Sequence, residues 1–117
     1  MYTVIHLYRV KKENVEIFLD IRDRINEIHL LNGTLEKTIY HVDNLDGHHG
    51  CNGLHSLISV NNNEQIFFGQ SIYRNKSHYE DVKNQVNHND EMNQLLEELK
   101  KNIDLSETIT ASFTTRV

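Results

Sequence analysis

The densest set of reactive side chains in this sequence lies between Asp43 and His55, in a stretch rich in glycine and histidine. Imidazole, thiolate and carboxylate groups are the ligands that zinc and similar transition metals take. The candidate metal ligands are His48, His49, Cys51 and His55. Their spacing matches no standard zinc module, which pairs Cys or His at set intervals. The alternative is a polar surface loop that binds zinc or nickel only adventitiously, and the sequence predicts no resident cofactor.

A second candidate site combines histidine and tyrosine on one face of the first predicted strand. His6 and Tyr8 lie two residues apart there, so their side chains share a face. Histidine titrates near neutral pH and can act as a general base, while a tyrosine hydroxyl can hydrogen-bond an enol or phenol oxygen. The residues that could join this pair across the sheet are Tyr40 or His41, and Gln70 or Tyr73. We predict His6, Tyr8 and His41 as catalytic residues; the alternative is that they are satisfied core or interface residues, because strand register is not known from sequence.

Other single residues offer less chemistry. Cys51 could act as a nucleophile with a neighbouring histidine as base, but its loop supplies neither a helix N-terminus nor a fixed partner to lower the thiol pKa. His78 stands near the start of a predicted helix, where a protonated imidazole would oppose the helix dipole. We therefore expect His78 to be neutral and structural. The sequence contains no phosphate loop, nucleophile elbow or HExxH motif.

The periodicity of apolar residues predicts the elements that position these side chains. Strands are predicted over residues 2–10, 34–43, 65–73 and 107–117, with residues 54–60 as a further edge strand or a short extension. Helices are predicted over residues 13–32 and from Ser77 onward, with a new helix capped by Asn89 or Asp90. In the first helix the charged residues, Arg22 among them, fall mostly on the face away from the apolar stripe. Ser77–Glu80 matches a capping box, and Asn32-Gly33 is a helix stop signal. Gly69 inside a strand suggests a bulge or a close approach by another group.

This order predicts an α+β protein, a single ferredoxin-like βαββαβ domain over residues 1–117 with an antiparallel sheet. Helices would cover one face of that sheet. The other face would carry aromatic and aliphatic side chains that are too apolar to remain in water. A second copy packed sheet against sheet, as a dimeric α/β barrel, is the simplest cover. A chain this short buries only about two-thirds of its unfolded surface, which also favours a homodimer.

Composition argues against several classes of partner. The net charge is −5 with histidine neutral, and no run of Lys or Arg exceeds two residues, so no basic face for nucleic acid is expected. No apolar stretch approaches the ~20 residues that span a bilayer, and the N-terminus lacks the pattern of a signal peptide. The single Cys51 excludes an intramolecular disulfide. We expect a cytoplasmic protein with no nucleic-acid or membrane partner.

Three segments resemble the YbaA-like family of domains of unknown function, which share the dimeric α/β-barrel fold. The segments are Gly33–Glu36, Asp43 with Asp46-Gly47, and Phe68–Met92. The resemblance covers most of residues 1–95 and implies the fold, but the family provides no activity to transfer. The chain departs from the family by having Gln70 where Trp is frequent, and by lacking a glycine near Asp104–Glu107. The wider superfamily includes antibiotic-biosynthesis and haem-degrading monooxygenases, but the haem degraders depend on a Trp, and this chain has none.

Two functional classes remain open at this stage. The first is a cofactor-independent enzyme, monooxygenase- or isomerase-like, that acts on a small aromatic or enolisable molecule in a barrel cavity. It predicts an enclosed pocket with at least one histidine inside. The second is a non-catalytic binding or regulatory dimer, metal-responsive through the histidine-rich loop. It predicts a barrel filled with side chains.

Overall fold

A computed structural model of the chain describes residues 1–116 and has the predicted order of elements. The strands β1 to β4 are Tyr2–Lys11, Glu36–His41, Glu64–Tyr73 and Ile109–Thr114. The helices α1 to α3 are Val15–Leu31, Lys76–Asn87 and Asp90–Asn102. Short 3-10 turns occupy Lys12–Asn14, Leu54–Ser56 and Leu105–Glu107. Val117, at the end of the predicted last strand, lies outside the described residues.

The four strands form one antiparallel sheet in the order β2-β3-β1-β4. This confirms the α+β ferredoxin-like fold that the element order predicted. The pairing of β1 with β3 runs without interruption from Tyr2 opposite Tyr73 to Lys11 opposite Glu64. Gly69 therefore does not mark a bulge. Residues 54–60 form a 3-10 turn and loop, so the further edge strand is absent there.

One face of the sheet packs against all three helices to form the core. Alternate residues of β1 point into it, and the apolar stripe of α1 meets them. The predicted stripe on α3 is confirmed as core, because Met92, Leu99 and Ile103 are all buried. Each such side chain contributes about 1.5–3 kcal/mol when fully buried. The largest fully buried side chains are Phe18, Ile25 and Val10.

The helix ends show which sequence signals operate. Gly33 has φ +109°, a conformation that favours glycine, and it ends α1 as predicted. The prediction that Ser77 caps the second helix is wrong. The helix α2 begins at Lys76, and its cap is Asn75, whose side chain accepts a hydrogen bond from the His78 amide at 2.8 Å. An Asn can cap a helix as well as a Ser, and here it lies at the correct position. Asn89 caps α3, which resolves the alternative left open.

Within residues 1–116, no helix covers the other face of the sheet. Ile5 and Leu7 of β1 point to this outer face, together with residues of the neighbouring strands that pair with them. On it Ile109 and Phe113 are 47% and 54% exposed, and Tyr40 is 45% exposed. The result is a slab with extents of 40 × 40 × 19 Å and one apolar side in water. Among residues 1–116, no helix has the length and apolar character needed to cross a membrane.

Candidate functional site

A cavity of about 200 Å³ lies between the sheet and the helices. Its apolar wall comes from Val4, Ile25, Val86, Met92 and Leu96. Its polar wall comes from His6, Arg22, His29, Lys37, Ser71 and Tyr73, together with Tyr79, Lys83 and Asn87 of α2. The enzyme hypothesis required an enclosed pocket with a histidine inside; this cavity has His6 and His29 in its wall but is partly open to solvent.

Local structure brings the polar residues together. Arg22, Ile25 and His29 follow a spacing of three and four residues, which places them on the face of α1 that looks toward the sheet. Lys37 of β2 lies directly opposite Ser71 of β3, and its Nζ donates a hydrogen bond to the Ser71 Oγ at 2.9 Å. The polar side chains of α1 thus meet those of β2 and β3, two strands that lie side by side in the sheet.

The cavity wall is rich in cations and contains no carboxylate among the residues described. Arg22 is only 6% exposed, and its Nη2 donates a hydrogen bond to Oδ1 of Asn26 at 3.3 Å. Its guanidinium carbon lies 5.2 Å from the centre of the Tyr8 ring, a cation–π contact. Two buried nitrogens, Nε of Arg22 and Nδ1 of His29, have no hydrogen-bond partner in the described part of the chain.

Burial and this excess of positive charge lower the basicity of the neighbouring groups. Burial, then Arg22 and Lys37, lowers the pKa of His6 to about 4. Burial, then Lys37, Arg22 and His6, lowers the pKa of His29 to about 3. Burial and Arg22 lower the pKa of Lys37 to about 7. At neutral pH both imidazoles are therefore unprotonated, and Lys37 lies near its midpoint.

His6 and Tyr8 form one unit on β1. Their rings stack with centres 5.5 Å apart and planes 5° from parallel. A Cβ at Gly69 would lie 3.2 Å from Cε2 of Tyr8, so glycine leaves room for the tyrosine ring, and the predicted close approach is confirmed. Burial raises the pKa of Tyr8, so its hydroxyl keeps its proton at neutral pH.

His41 lies apart from the His6 cavity. It is exposed at the end of β2, with its Nε2 3.3 Å from Oε1 of Gln65 and its Nδ1 3.5 Å from Oδ1 of Asp43. It lines a separate groove of about 340 Å³ formed with residues 42–46. The Phe67 ring lies beside His41, on the strand between β2 and β1. The structure therefore brings together His6 and Tyr8 of the predicted catalytic set, but not His41.

The histidine-rich loop does not gather its candidate ligands. Among residues 1–116, no group of three or more His, Cys, Asp or Glu side chains is placed to hold a metal ion. Nδ1 of His55 lies 3.0 Å from the Leu45 carbonyl and 3.8 Å from Oδ1 of Asp46. Cys51 is exposed, and its amide hydrogen-bonds the His48 carbonyl at 2.9 Å. Metal binding by this loop stays a prediction.

Sequence reasoning missed three residues of the cavity: Arg22, His29 and Lys37. The charged residues of the first helix were assigned mostly to its solvent face. A signal existed, because residues 18, 22, 25 and 29 form one helical stripe, which places Arg22 and His29 beside the buried Phe18 and Ile25. The direction of the Lys37 side chain required the register of β2, which the sequence does not contain.

His78, expected to be structural, has such a role. It is 8% exposed, and its Nδ1 accepts a hydrogen bond from the Arg74 amide at 3.0 Å. The nitrogen that accepts this bond carries no proton. The side chain therefore fixes the turn between β3 and α2.

Comparison with known proteins identifies the fold. No family of known sequences matches the chain, and no curated protein matches it. An uncharacterized NIPSNAP domain protein from Burkholderia xenovorans superimposes with a TM-score of 0.66 at 14% identity, covering 99% of this chain and 95% of the other. An antibiotic biosynthesis monooxygenase gives 0.64 at 12% identity, with all of both chains covered. A dimeric ferredoxin-like protein from an uncultured marine organism gives 0.63 at 13% identity, covering 99% and 90%.

These comparisons do not confirm the resemblance to the YbaA-like family. At such low identity, a structural likeness carries no function. The chain has the ferredoxin-like α+β fold that these proteins share.

Proposed function

We propose that this protein is a small-molecule enzyme, isomerase- or monooxygenase-like, that acts on an aromatic or enolisable compound in the cavity between sheet and helices. The observation that carries the proposal is an unprotonated histidine, His6, in the wall of a cavity of about 200 Å³ between sheet and helices. A neutral imidazole can accept a proton from a carbon or hydroxyl acid held beside it. Tyr8 stacks on His6 and acts as a positioning residue for that ring.

The same proposal includes a homodimer. The outer face of the sheet exposes Tyr40, Ile109 and Phe113 on its two edge strands, and exposed apolar patches mark interaction sites. One structural neighbour is described as a dimeric ferredoxin-like protein. A second copy packed on this face would cover Phe113, Ile109 and Tyr40 without touching the helices. The cavity lies on the opposite side of the sheet, so each subunit would keep its own site.

Proton exchange tests the enzyme proposal. The protein is incubated in D₂O with a panel of small ketones, 1,3-dicarbonyl compounds and phenols, and loss of exchangeable C–H signals is followed by proton NMR. Oxygen uptake is measured on the same panel to detect oxidation. We expect turnover with at least one compound, with loss of most of it in His6→Gln and retention in His88→Gln, an exposed histidine at the end of α2.

The second candidate, a non-catalytic binding dimer, predicts a different pattern. Compounds would then raise the melting temperature by binding the folded state, without exchange or oxygen uptake. The observation that favours this alternative is the uncovered apolar outer face of the sheet, an interaction surface that requires no catalytic group. Binding without chemistry across the panel would rule out the enzyme.

A further inference from the structure

We propose that the cavity binds a small organic carboxylate, with Arg22 and Lys37 as the groups that hold its anionic head. This inference rests on the proposed small-molecule site and names the chemical class of its ligand. It assigns a role to three residues, Arg22, Lys37 and His29, that the catalytic proposal does not use.

The charge balance of the cavity is the first argument. Arg22 is 6% exposed, and no Asp or Glu of the described chain lies within ion-pair distance of it. A buried cation without a partner is strongly unfavourable, and buried charges in proteins are normally paired. The contact with the Tyr8 ring and the one hydrogen bond to Asn26 leave the buried Nε of Arg22 without an acceptor among the described residues. The missing partner is an anion.

The unused donors give the second argument. Nε of Arg22 is buried and has no acceptor among residues 1–116. Guanidinium is a planar fork whose parallel N–H bonds fit the two oxygens of a carboxylate. Lys37 approaches from β2 with its Nζ held by Ser71, so it offers further N–H donors to the same anion. His29, whose Nδ1 also lacks a partner, completes the polar end.

The shape of the cavity indicates the rest of the ligand. The cavity is also lined by aliphatic and thioether side chains from Val4, Ile25, Val86, Met92 and Leu96. A free inorganic anion would leave that wall against water, whereas an apolar body would fill it. A volume of about 200 Å³ is below that of a typical drug-sized pocket, so the ligand has few heavy atoms.

An anion in this place would also change the chemistry of His6. The charges of Arg22 and Lys37 contribute to the low pKa of the His6 imidazole. A carboxylate between these cations would neutralise part of their field and raise the pKa of His6 toward its ordinary value. A base is most effective when its pKa lies near the working pH. Ligand binding would therefore turn a weak base into a useful one.

Calorimetric titration of the full chain tests this inference. The probes are acetate, butyrate, benzoate and phenylacetate, each paired with its neutral amide, with inorganic phosphate as a further anion. We expect at least one carboxylate to bind near pH 6, at least tenfold more tightly than its amide and than phosphate. Arg22→Gln should weaken that binding about ten- to a hundredfold, as expected for loss of a charged hydrogen bond.

Matched controls separate charge recognition from loss of fold. Arg24→Gln removes an arginine from the same helix, but one that is paired with Glu91 and Glu27 on the surface, and should leave binding unchanged. Lys37→Met should weaken binding, and Lys12→Met, an exposed lysine, should not. Proton uptake on carboxylate binding tests the same inference with the wild-type protein alone. Titrations at pH 8 in buffers of different ionisation enthalpy should show that carboxylate binding takes up a proton, because the anion raises the pKa of Lys37.

The outcomes distinguish the inference from the proposed function. Equal affinity for amides and carboxylates, or no effect of Arg22→Gln, would overturn the anion site and leave the small-molecule cavity intact. Phosphate binding as tightly as the carboxylates would also overturn it. Failure of every organic probe, charged and neutral, would overturn both. Carboxylate binding without proton exchange or oxygen uptake would support the ligand class and refute the enzyme.

Discussion

Replacing Lys37 with methionine should stabilise the protein near neutral pH, although Lys37 hydrogen-bonds Ser71 in the folded state. The folded pKa of Lys37 is lowered from 10.5 to about 7, first by burial and then by Arg22. At about 1.4 kcal/mol per pH unit, this lowering corresponds to an unfavourable contribution of about 5 kcal/mol at full protonation. Methionine removes the charge and keeps an unbranched chain of similar length.

The sign of the pH dependence follows from proton binding. Between pH 7 and 10.5 the unfolded chain keeps a proton on Lys37 that the folded chain has lost, so the stability of the wild type rises with pH in this window. The penalty is complete below pH 7 and disappears near pH 10.5. Lys37→Met loses the bond to Ser71, which costs about 1 kcal/mol, and part of the penalty is screened because Lys37 is only partly buried. We expect a gain of about 3 kcal/mol at pH 6.5 and a slight loss at pH 10.5.

Urea unfolding followed by circular dichroism measures this difference at several pH values. Protein concentration must be equal throughout, since dimer stability depends on it. Lys12→Met, on the exposed turn after β1, is the matched control and should show little change at any pH. A Lys37→Met protein that is less stable than the wild type at pH 6.5, or a difference that does not vary with pH, would refute the reasoning that Lys37 is a destabilising buried cation.

Three further outcomes are expected. Wild-type stability should fall as pH drops below 6.5, because the unfolded chain then protonates His6 and His29 while the folded chain resists until about pH 4 and 3; His29→Leu should reduce this loss in urea unfolding. Phe113→Glu should convert a dimer to a monomer in sedimentation experiments, whereas Ser112→Glu, on the opposite face of β4, should not. The metal hypothesis predicts that zinc at a hundred times its dissociation constant raises stability by about 2.7 kcal/mol and that Cys51→Ser removes the gain; an unchanged melting temperature with zinc rules it out.

The fold could be predicted from sequence because each element carries its own period. The alternation in residues 2–10 and the stripe of α1 each depend on contacts within a few residues, and the stop at Gly33 depends on one backbone angle. The start of α2 was wrong because Ser77 and Asn75 are both good caps, and the choice between them depends on how β3 ends. The first residue of a helix cannot be predicted from local sequence where it depends on tertiary contacts.

The site was predicted only in part, for a related reason. His6 and Tyr8 share a strand face, so their proximity follows from the period of two. His41 faces the same side of the sheet as His6, but Phe67 of β3 lies between His41 and β1. This arrangement depends on the strand register, which the sequence does not give. Arg22 was assigned to the solvent face because it lies outside the stripe of apolar residues that predicted the helix. In the structure the buried face of α1 is wider than that stripe and includes Arg22.

The isolated chain has two unfavourable features, the exposed apolar face of the sheet and the buried cation Arg22, and they lie on opposite sides of β1. His6 points from β1 toward the cations of the cavity, while its neighbours Ile5 and Leu7 point to the uncovered outer face. Neither feature stabilises the monomer: apolar surface stays in water, and Arg22 stays buried without a counter-ion. Proteins commonly give up stability at the places where they bind something. A second copy on the outer face and a carboxylate in the cavity would each relieve one of these costs, and both would act on β1, the central strand that holds His6.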